Sequence, residues 1–499
     1  MLKKIRLAIA IVVIAVLTFG FIDIAGVLSD PWLQKIQFLP SLLSLSIATL
    51  VILIASTLLF GRAYCSIICP LGIFQDFFNW LSKKFDKKKK YGYKPERKWL
   101  RWGVLAILLI SWLCGFTVLV SLIEPYSAYG RIATQIFKPL YVFGNNILAH
   151  FSEKAGNYTF FYVEQSIRSM ATLIVAVLTL AIIGFMSFRF GRTWCNTICP
   201  VGTMLGFFSR FSLFRITIDK DQCNHCQACG KKCKSYCIDS ANQTIDYSRC
   251  IDCFDCIDHC KKGALRYSPV WKSCKKKEEV TIDESKRSFI KSALAIAVMA
   301  PAALESRAAE VVGINKDKRT PLSPPGSKSH TELLQHCTAC NLCVSKCPSN
   351  VLKPATLEYG IEGFMQPLMS FDKGFCNYDC TVCSEVCPNG AIRPLTVEEK
   401  HHTQPGRVLF TKEECVVWKN RTSCGACAEH CPTGAVTMVP FEGGLTIPQT
   451  DIEVCVGCGG CEYICPVKAI IIEGNETHLQ AKDPEREEQK EADDFGFGF

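Results

Sequence analysis

Residues 60–78 read FGRAYCSIICPLGIFQDFF, and residues 190–208 read FGRTWCNTICPVGTMLGFF. Ten of the nineteen positions are identical, among them Gly61/Gly191, Arg62/Arg192, Cys65/Cys195, Cys69/Cys199, Pro70/Pro200 and Gly72/Gly202. Each copy closes a long apolar run and opens an amphipathic, aromatic-rich stretch. The pattern makes residues 1–215 a tandem-duplicated unit of membrane helices. Pro70 and Pro200 suit the first position of the following helix, which puts Cys69 and Cys199 at its N-cap. There the helix dipole, with Arg62 and Arg192 nearby, is expected to lower the thiol pKa. Both motifs fall on one membrane face, so Cys65, Cys69, Cys195 and Cys199 can converge as an extra redox or metal centre. Structural cysteines or thiol pairs are the alternative.

Four apolar stretches, near 5–22, 41–60, 103–123 and 170–188, are long enough to span a bilayer, which needs roughly 20 residues. No small-residue cleavage site follows the first, so it reads as a retained anchor. Lys3, Lys4 and Arg6 precede it, and ten Lys/Arg crowd residues 82–102. The positive-inside rule places both segments in the cytoplasm. With two spans between them the count agrees, and both CxxxCP segments face inward. The 124–168 connection then lies outside, and the chain after the fourth span is inside again.

The expected architecture is therefore an α-helical membrane bundle of four spans followed by α+β ferredoxin domains of the bacterial type. The chain has 499 residues, a net charge of +10 and 31 cysteines. So many cysteines could form a disulfide scaffold, but those are short secreted chains, and here most cysteines fall in tight repeated runs. The basic run sits beside membrane spans and reads as a topology signal, not as a nucleic-acid site.

Six groups of four cysteines carry the chemistry. Two lie in residues 216–270: Cys223, Cys226, Cys229, Cys233 and Cys250, Cys253, Cys256, Cys260. Four lie in residues 331–475: Cys337, Cys340, Cys343, Cys347; Cys376, Cys380, Cys383, Cys387; Cys415, Cys424, Cys427, Cys431; and Cys455, Cys458, Cys461, Cys465. The regular groups read C-x2-C-x2-C-x3-C, and the last four groups end in Cys-Pro. Three close thiolates on one loop reach three irons of a cubane, and the fourth serves the neighbouring cluster in two-cluster ferredoxins. Structural zinc instead prefers two cysteine pairs split by a longer loop. Six 4Fe–4S clusters are expected, one two-cluster domain and one four-cluster domain. In the last unit the four runs can pair sequentially or nested. Cys237 is a spare beside Cys233, and Cys114 and Cys274 read as structural.

Between the ferredoxin units, residues 271–330 hold a charged entry, an apolar run (289–304) and a Pro/Ser/Gly linker (320–329). Residues 476–499 read as an acidic, disordered tail. No glycine-rich nucleotide loop, Walker motif or CxxCH haem site is present. The donor and acceptor are therefore expected to be proteins or a quinol. Quinol oxidation needs a base near the headgroup; Glu124, at the outer end of the third span, and His150 are the candidates, against an ordinary interfacial Glu and loop His.

The first 270 residues, with two GRxxCxxxCP motifs, resemble NapH-type membrane ferredoxins. Residues from about 285 to 472, with the irregular CVVWKNRTSCGACAEHCP, resemble NapG/MauM-type four-cluster ferredoxins, here fused to the first part. The resemblance implies a quinol dehydrogenase of the bacterial inner membrane that feeds menaquinol or ubiquinol electrons to a periplasmic nitrate reductase or a c-type cytochrome. Residues 216–270 are then cytoplasmic. Ser285–Lys291 follows the twin-arginine export pattern with Lys286 in place of the first Arg, which implies that 331–475 is periplasmic. Two other functions share the membrane core: copper reduction in oxidase assembly, whose proteins lack a four-cluster extension, and NosR-like regulation, whose proteins carry a flavin domain absent here.

Overall fold

The computed structural model describes residues 1–22, 32–86, 89–157, 159–164, 168–270 and 320–482. The export-like segment, the 289–304 run, Cys274 and the tail from 483 lie outside these residues.

Two expected spans form single helices, Leu2–Ile22 and Met170–Phe190, each 21 residues and apolar enough to cross a membrane. At ~1.5 Å per residue each is about 30 Å long. The other two runs are divided. The second splits into Phe38–Leu43 and Ile47–Phe60 around Leu45, whose φ is 52°. The third splits into Lys98–Leu113 and Thr117–Ile123 at Gly115 (φ 83°), where the Phe116 N–H reaches back to Ser111 O as a left-handed helix end requires. A single left-handed residue inside an apolar run leaves no mark on hydropathy. The 124–168 connection also folds into helix: Pro125–Ile132, a π turn Ala133–Phe137, and Lys138–Lys154.

Outward faces of five helices are apolar: Ile9 and Val12; Val51 and Ile52; Ile107 and Ile110; Phe143 and Ile147; Ile174 and Phe185. So large an exposed apolar surface suits lipid better than water. Each copy of the doubled motif ends its helix in the same way. Gly61 and Gly191 take φ of 73° and 65°, so the chain turns sharply off the helix.

The ferredoxin units are small hairpins around cysteine loops. In the first, Phe214–Ile218 pairs antiparallel with Leu265–Pro269, and Ile238–Asp239 with Thr244–Ile245. In the last, Leu352–Pro354 pairs with Pro367–Met369, Thr403–Phe410 with Ile470–Gln480, and Val436–Pro440 with Thr446–Thr450. Two boundaries differ from expectation. The expected linker at 320–329 is packed into the last unit: Leu322, Ser323 and Ser327 are buried, and the Met369 N–H donates to Leu322 O at 2.9 Å. Proline lacks a donor, but carbonyls in a Pro-rich stretch still accept. The first residues of the expected tail are likewise folded: the final strand runs to Gln480, and Ala481 is buried.

The N-terminal helix fixes where these units sit. Lys3 Nζ pairs with Asp255 and Asp258 of the first ferredoxin unit, at 3.2 and 3.0 Å. Near its other end, Phe21 O accepts from Ser345 Oγ of the last unit at 2.6 Å. Eighteen residues separate the two contacts, so they lie about 27 Å apart along the axis. The ten-cation stretch stays with the first unit: Tyr91 N–H donates to Lys231 O, and Arg249 to Lys94 O. The last unit rests on Thr117, Ser127, Arg131, Lys138 and Arg168, at the far end.

Candidate iron–sulfur centres

Four cysteine loops share one backbone path. His225/Gln227, Asp252/Phe254, Ala339/Asn341 and Gly457/Gly459 all have positive φ at matching positions between the three cysteines. These left-handed residues wrap the loop around its own thiols. The Ala339 N–H points at Cys337 Sγ (3.4 Å) and the Gly457 N–H at Cys455 Sγ (3.3 Å). Hydrogen bonds of this kind tune a cluster's reduction potential.

Cys223, Cys226, Cys229 and Cys260 line one cavity, and Cys415, Cys424, Cys427 and Cys465 another. Cys343 interacts with Cys337, Cys340 and Cys387; Cys383 with Cys376, Cys380 and Cys347; and Cys461 with Cys455, Cys458 and Cys431. Every loop thus meets the last cysteine of its partner run, and the runs of the last unit pair sequentially, first with second and third with fourth. Among the described residues no three His, Cys, Asp or Glu side chains are set to hold one metal ion. A zinc site draws four ligands to about 2.3 Å of a single atom, whereas a cluster spreads its ligands over several irons. The cysteine groups fit the cluster.

Around Cys250, Cys253 and Cys256 there are two fourth cysteines. Cys233 interacts with this loop, and Cys237 Sγ lies 3.4 Å from Cys233 Sγ. Both are buried, so both candidates for that position remain in place. Cys114 lies exposed just past the Lys98–Leu113 helix, not packed within a span.

The doubled motif folds as expected in one respect and departs in another. Cys69 and Cys199 are the N-caps of Pro70–Phe85 and Pro200–Ser209, and Cys199 Sγ accepts the Gly202 N–H at 3.4 Å. Their thiols are nonetheless pushed well above the ordinary value, because burial outweighs the dipole and neighbouring sulfurs add to it. Cys65, Cys69, Cys195 and Cys199 interact with one another, and all four are buried free cysteines. Arg62 Nη2 donates to Cys195 O (3.3 Å), and Arg192 Nη1 to Cys65 O (2.9 Å). Each motif's arginine therefore clamps the other motif. Gly72 and Gly202 make room: a Cβ on Gly202 would press on Cys195 O and stand 2.9 Å from Arg62 Nη2. Gly202→Val is expected to abolish assembly of the helical unit, seen as loss of a monodisperse species in detergent. Gly103→Ala, inside helix Lys98–Leu113 where a Cβ meets nothing within 4 Å, leaves that species unchanged.

Sequence reasoning missed Gln75 and Asp76. Gln75 is fully buried, with Nε2 3.2 Å from Cys195 Sγ. Asp76 accepts from Arg192 Nε (2.8 Å), Lys234 Nζ (2.8 Å) and Arg6 Nη1 (3.0 Å). Burial opposes its ionisation, but these cations hold the carboxyl well below the usual range. A signal existed: the second copy has Leu205 and Gly206 at these positions, within the longest run of differences between the copies, 73–76.

The quinol-site candidates fare differently. Glu124 caps Pro125–Ile132, its carboxylate taking the Tyr126 N–H at 2.9 Å and the Ser127 N–H. His150 lies on an exposed face beside Tyr162. Among the described residues no contact joins the two.

Comparisons with known proteins agree with the cysteine chemistry. A 4Fe–4S binding domain model matches residues 42–88 and 171–219, the two copies of the doubled motif. Two 4Fe–4S dicluster domain models match 336–392, which holds the first two runs of the last unit, and 420–469, which holds the other two apart from Cys415. An uncharacterized protein of Methanocaldococcus jannaschii is 26% identical over 236 residues, 46% of this chain and 74% of that protein. Ferredoxin-type protein NapH of Escherichia coli is 24% identical over 220 residues, 42% of this chain and 63% of NapH. Ferredoxin-type protein NapF of Escherichia coli is 28% identical over 159 residues, 32% of this chain and 87% of NapF. The chain is an iron–sulfur protein that carries 4Fe–4S domains of the ferredoxin type.

Proposed function

We propose that this protein is a membrane-bound quinol dehydrogenase and polyferredoxin. It passes electrons from menaquinol or ubiquinol through six 4Fe–4S clusters to a reductase, or a c-type cytochrome serving one, at the outer face. A nitrate reductase is the favoured acceptor, in line with the Nap names of its relatives. The observation that carries the reading is the placement of two ferredoxin units at opposite ends of a helical unit with apolar outer faces. The 216–270 unit is then cytoplasmic and the 331–475 unit periplasmic, at the inner membrane of a bacterium. The last unit also favours a linear path. Cys340 lies against the helical unit, and the Cys376 N–H donates to Cys458 O (2.9 Å) where the two halves meet. The group at Cys415 then marks the far end.

Protein purified without oxygen is expected to hold about 24 ferredoxin-type irons, four for each of six cubanes. A menaquinol analogue reduces these clusters within the mixing time. Iron near a third of that, or clusters indifferent to quinol, would overturn the reading. A topology reporter fused after Ser329 is expected to report the outer side; a reporter active in the cytoplasm contradicts it.

A further inference from the structure

We infer that Cys65, Cys69, Cys195 and Cys199 together hold one further iron–sulfur cluster, shared between the two copies of the motif, which links the two ferredoxin units through the helical unit. The inference rests on the electron-transfer reading above and adds a centre that the six ferredoxin groups do not include.

Charge carries the argument. Arg62 and Arg192 are fully buried. Arg62 donates to Asn196 Oδ1 (2.8 Å), Ser248 O (2.9 Å) and Cys195 O (3.3 Å), and stands 3.8 Å from Cys65 Sγ. No carboxylate lies within ion-pair distance of its guanidinium among the described residues. Asp252 takes the Arg62 backbone N–H and attracts the guanidinium only from beyond that distance. Arg192 does reach Asp76, but that single carboxylate also serves Arg6 and Lys234. Buried unpaired cations cost several kcal/mol each, roughly, and are kept only where something compensates them. Neutral thiols do not. Four thiolates on an iron–sulfur core carry net negative charge and do. Further donors are left over: Arg192 Nη2 and Arg62 Nε are buried with no acceptor, and Arg192 Nη1 stands 3.9 Å from Cys195 Sγ.

Position supplies the second argument. The N-terminal helix meets the two ferredoxin units at points about 27 Å apart along its axis, and electrons tunnel only over short gaps. The four cysteines lie between. On the inner side, Arg62 touches Ser248 and Asp252, and Cys250 Sγ lies 3.6 Å from Asp252 Oδ1. On the outer side, Tyr64 interacts with Cys69, Cys65 and Glu124, and Tyr126 with Glu124, Cys340 and Cys343. One electron at a time passes from a reduced loop cluster to this centre and on to the next; no bond forms or breaks.

The test uses the full chain, prepared without oxygen. Iron and sulfide are counted, and the reduced protein is examined by Mössbauer and EPR spectroscopy. The expected total exceeds the six-cubane count by about two or four irons, for a two- or four-iron centre. The Cys69→Ser/Cys199→Ser double variant is expected to lose those irons and one spectral component while the ferredoxin signals persist. In that variant dithionite added from the inner side of a proteoliposome reduces the first unit but not the last. Wild-type iron that equals the ferredoxin count, with all four cysteines recovered as thiols or disulfides, overturns the inference even if the double variant fails to fold. Fewer ferredoxin irons with the extra component intact would instead count against the six-cluster reading alone. Arg62→Met is expected to move the midpoint of the extra component downward and leave the others in place.

Discussion

Asp76→Asn is expected to lower the thermal midpoint of the purified protein by about 10 °C. Asp76 is one carboxylate shared by three segments: the N-terminal helix through Arg6, the second motif through Arg192, and the first ferredoxin unit through Lys234, which also reaches Asp255 at 3.4 Å. All three cations are buried, at 6%, 0% and 5% side-chain exposure. Breaking a buried pair by removing one partner costs about 3–5 kcal/mol, because the other charge stays behind. At roughly 2–4 °C per kcal/mol for a unit of this size, the shift is easily read by tryptophan fluorescence. Asp76→Glu should recover part of it. The contribution also has a pH sign. The carboxyl is held below its unfolded value, so the stabilisation is complete at neutral pH and disappears only as pH falls through the acid range. A midpoint unchanged in Asp76→Asn would mean that the three cations find other partners.

The repeated motif made the duplication, the helix starts at Pro70 and Pro200 and the convergence of four cysteines legible in the sequence. The cysteine runs marked the ferredoxin loops because cluster chemistry fixes spacing locally. Sequential pairing of the runs was not legible, since it depends on which hairpins close around which loops. Leu45 and Gly115 were invisible as breaks because apolar residues continue on both sides. Helix Lys138–Lys154 was missed for the opposite reason: polar residues such as Asn145 and Asn146 interrupt its apolar face, and hydropathy averages them away. Asp76 was hidden because the eye follows what a repeat keeps. The positions where the copies differ proved more informative about charge.

Gly130→Leu is expected to detach the last unit from the helical unit. Every residue of the Pro125–Ile132 helix is buried. Its Ser127 Oγ meets Thr338 Oγ1 at 2.7 Å, and Arg131 Nη1 donates to Ala339 O at 3.4 Å. A Cβ on Gly130 would stand 2.6 Å from Cys340 O and 2.9 Å from Phe21 Cζ. The carbonyl cannot retreat, because Cys340 sits between two left-handed residues in a loop whose thiols must stay together. Phe21 is fully buried against Tyr126, with ring centroids 5.5 Å apart. Overpacking so closed a site costs about 1–3 kcal/mol or more, equivalent to a roughly ten- to hundredfold weaker docking. Electron transfer between the units should slow at least in proportion, and protease should cut between them sooner, with total iron unchanged. Gly144→Leu is the matched control: it lies on the Lys138–Lys154 helix, where a Cβ meets nothing within 4 Å. If the two variants behave alike, Gly130 is not a docking point, and the last unit reaches the helical unit by some other face.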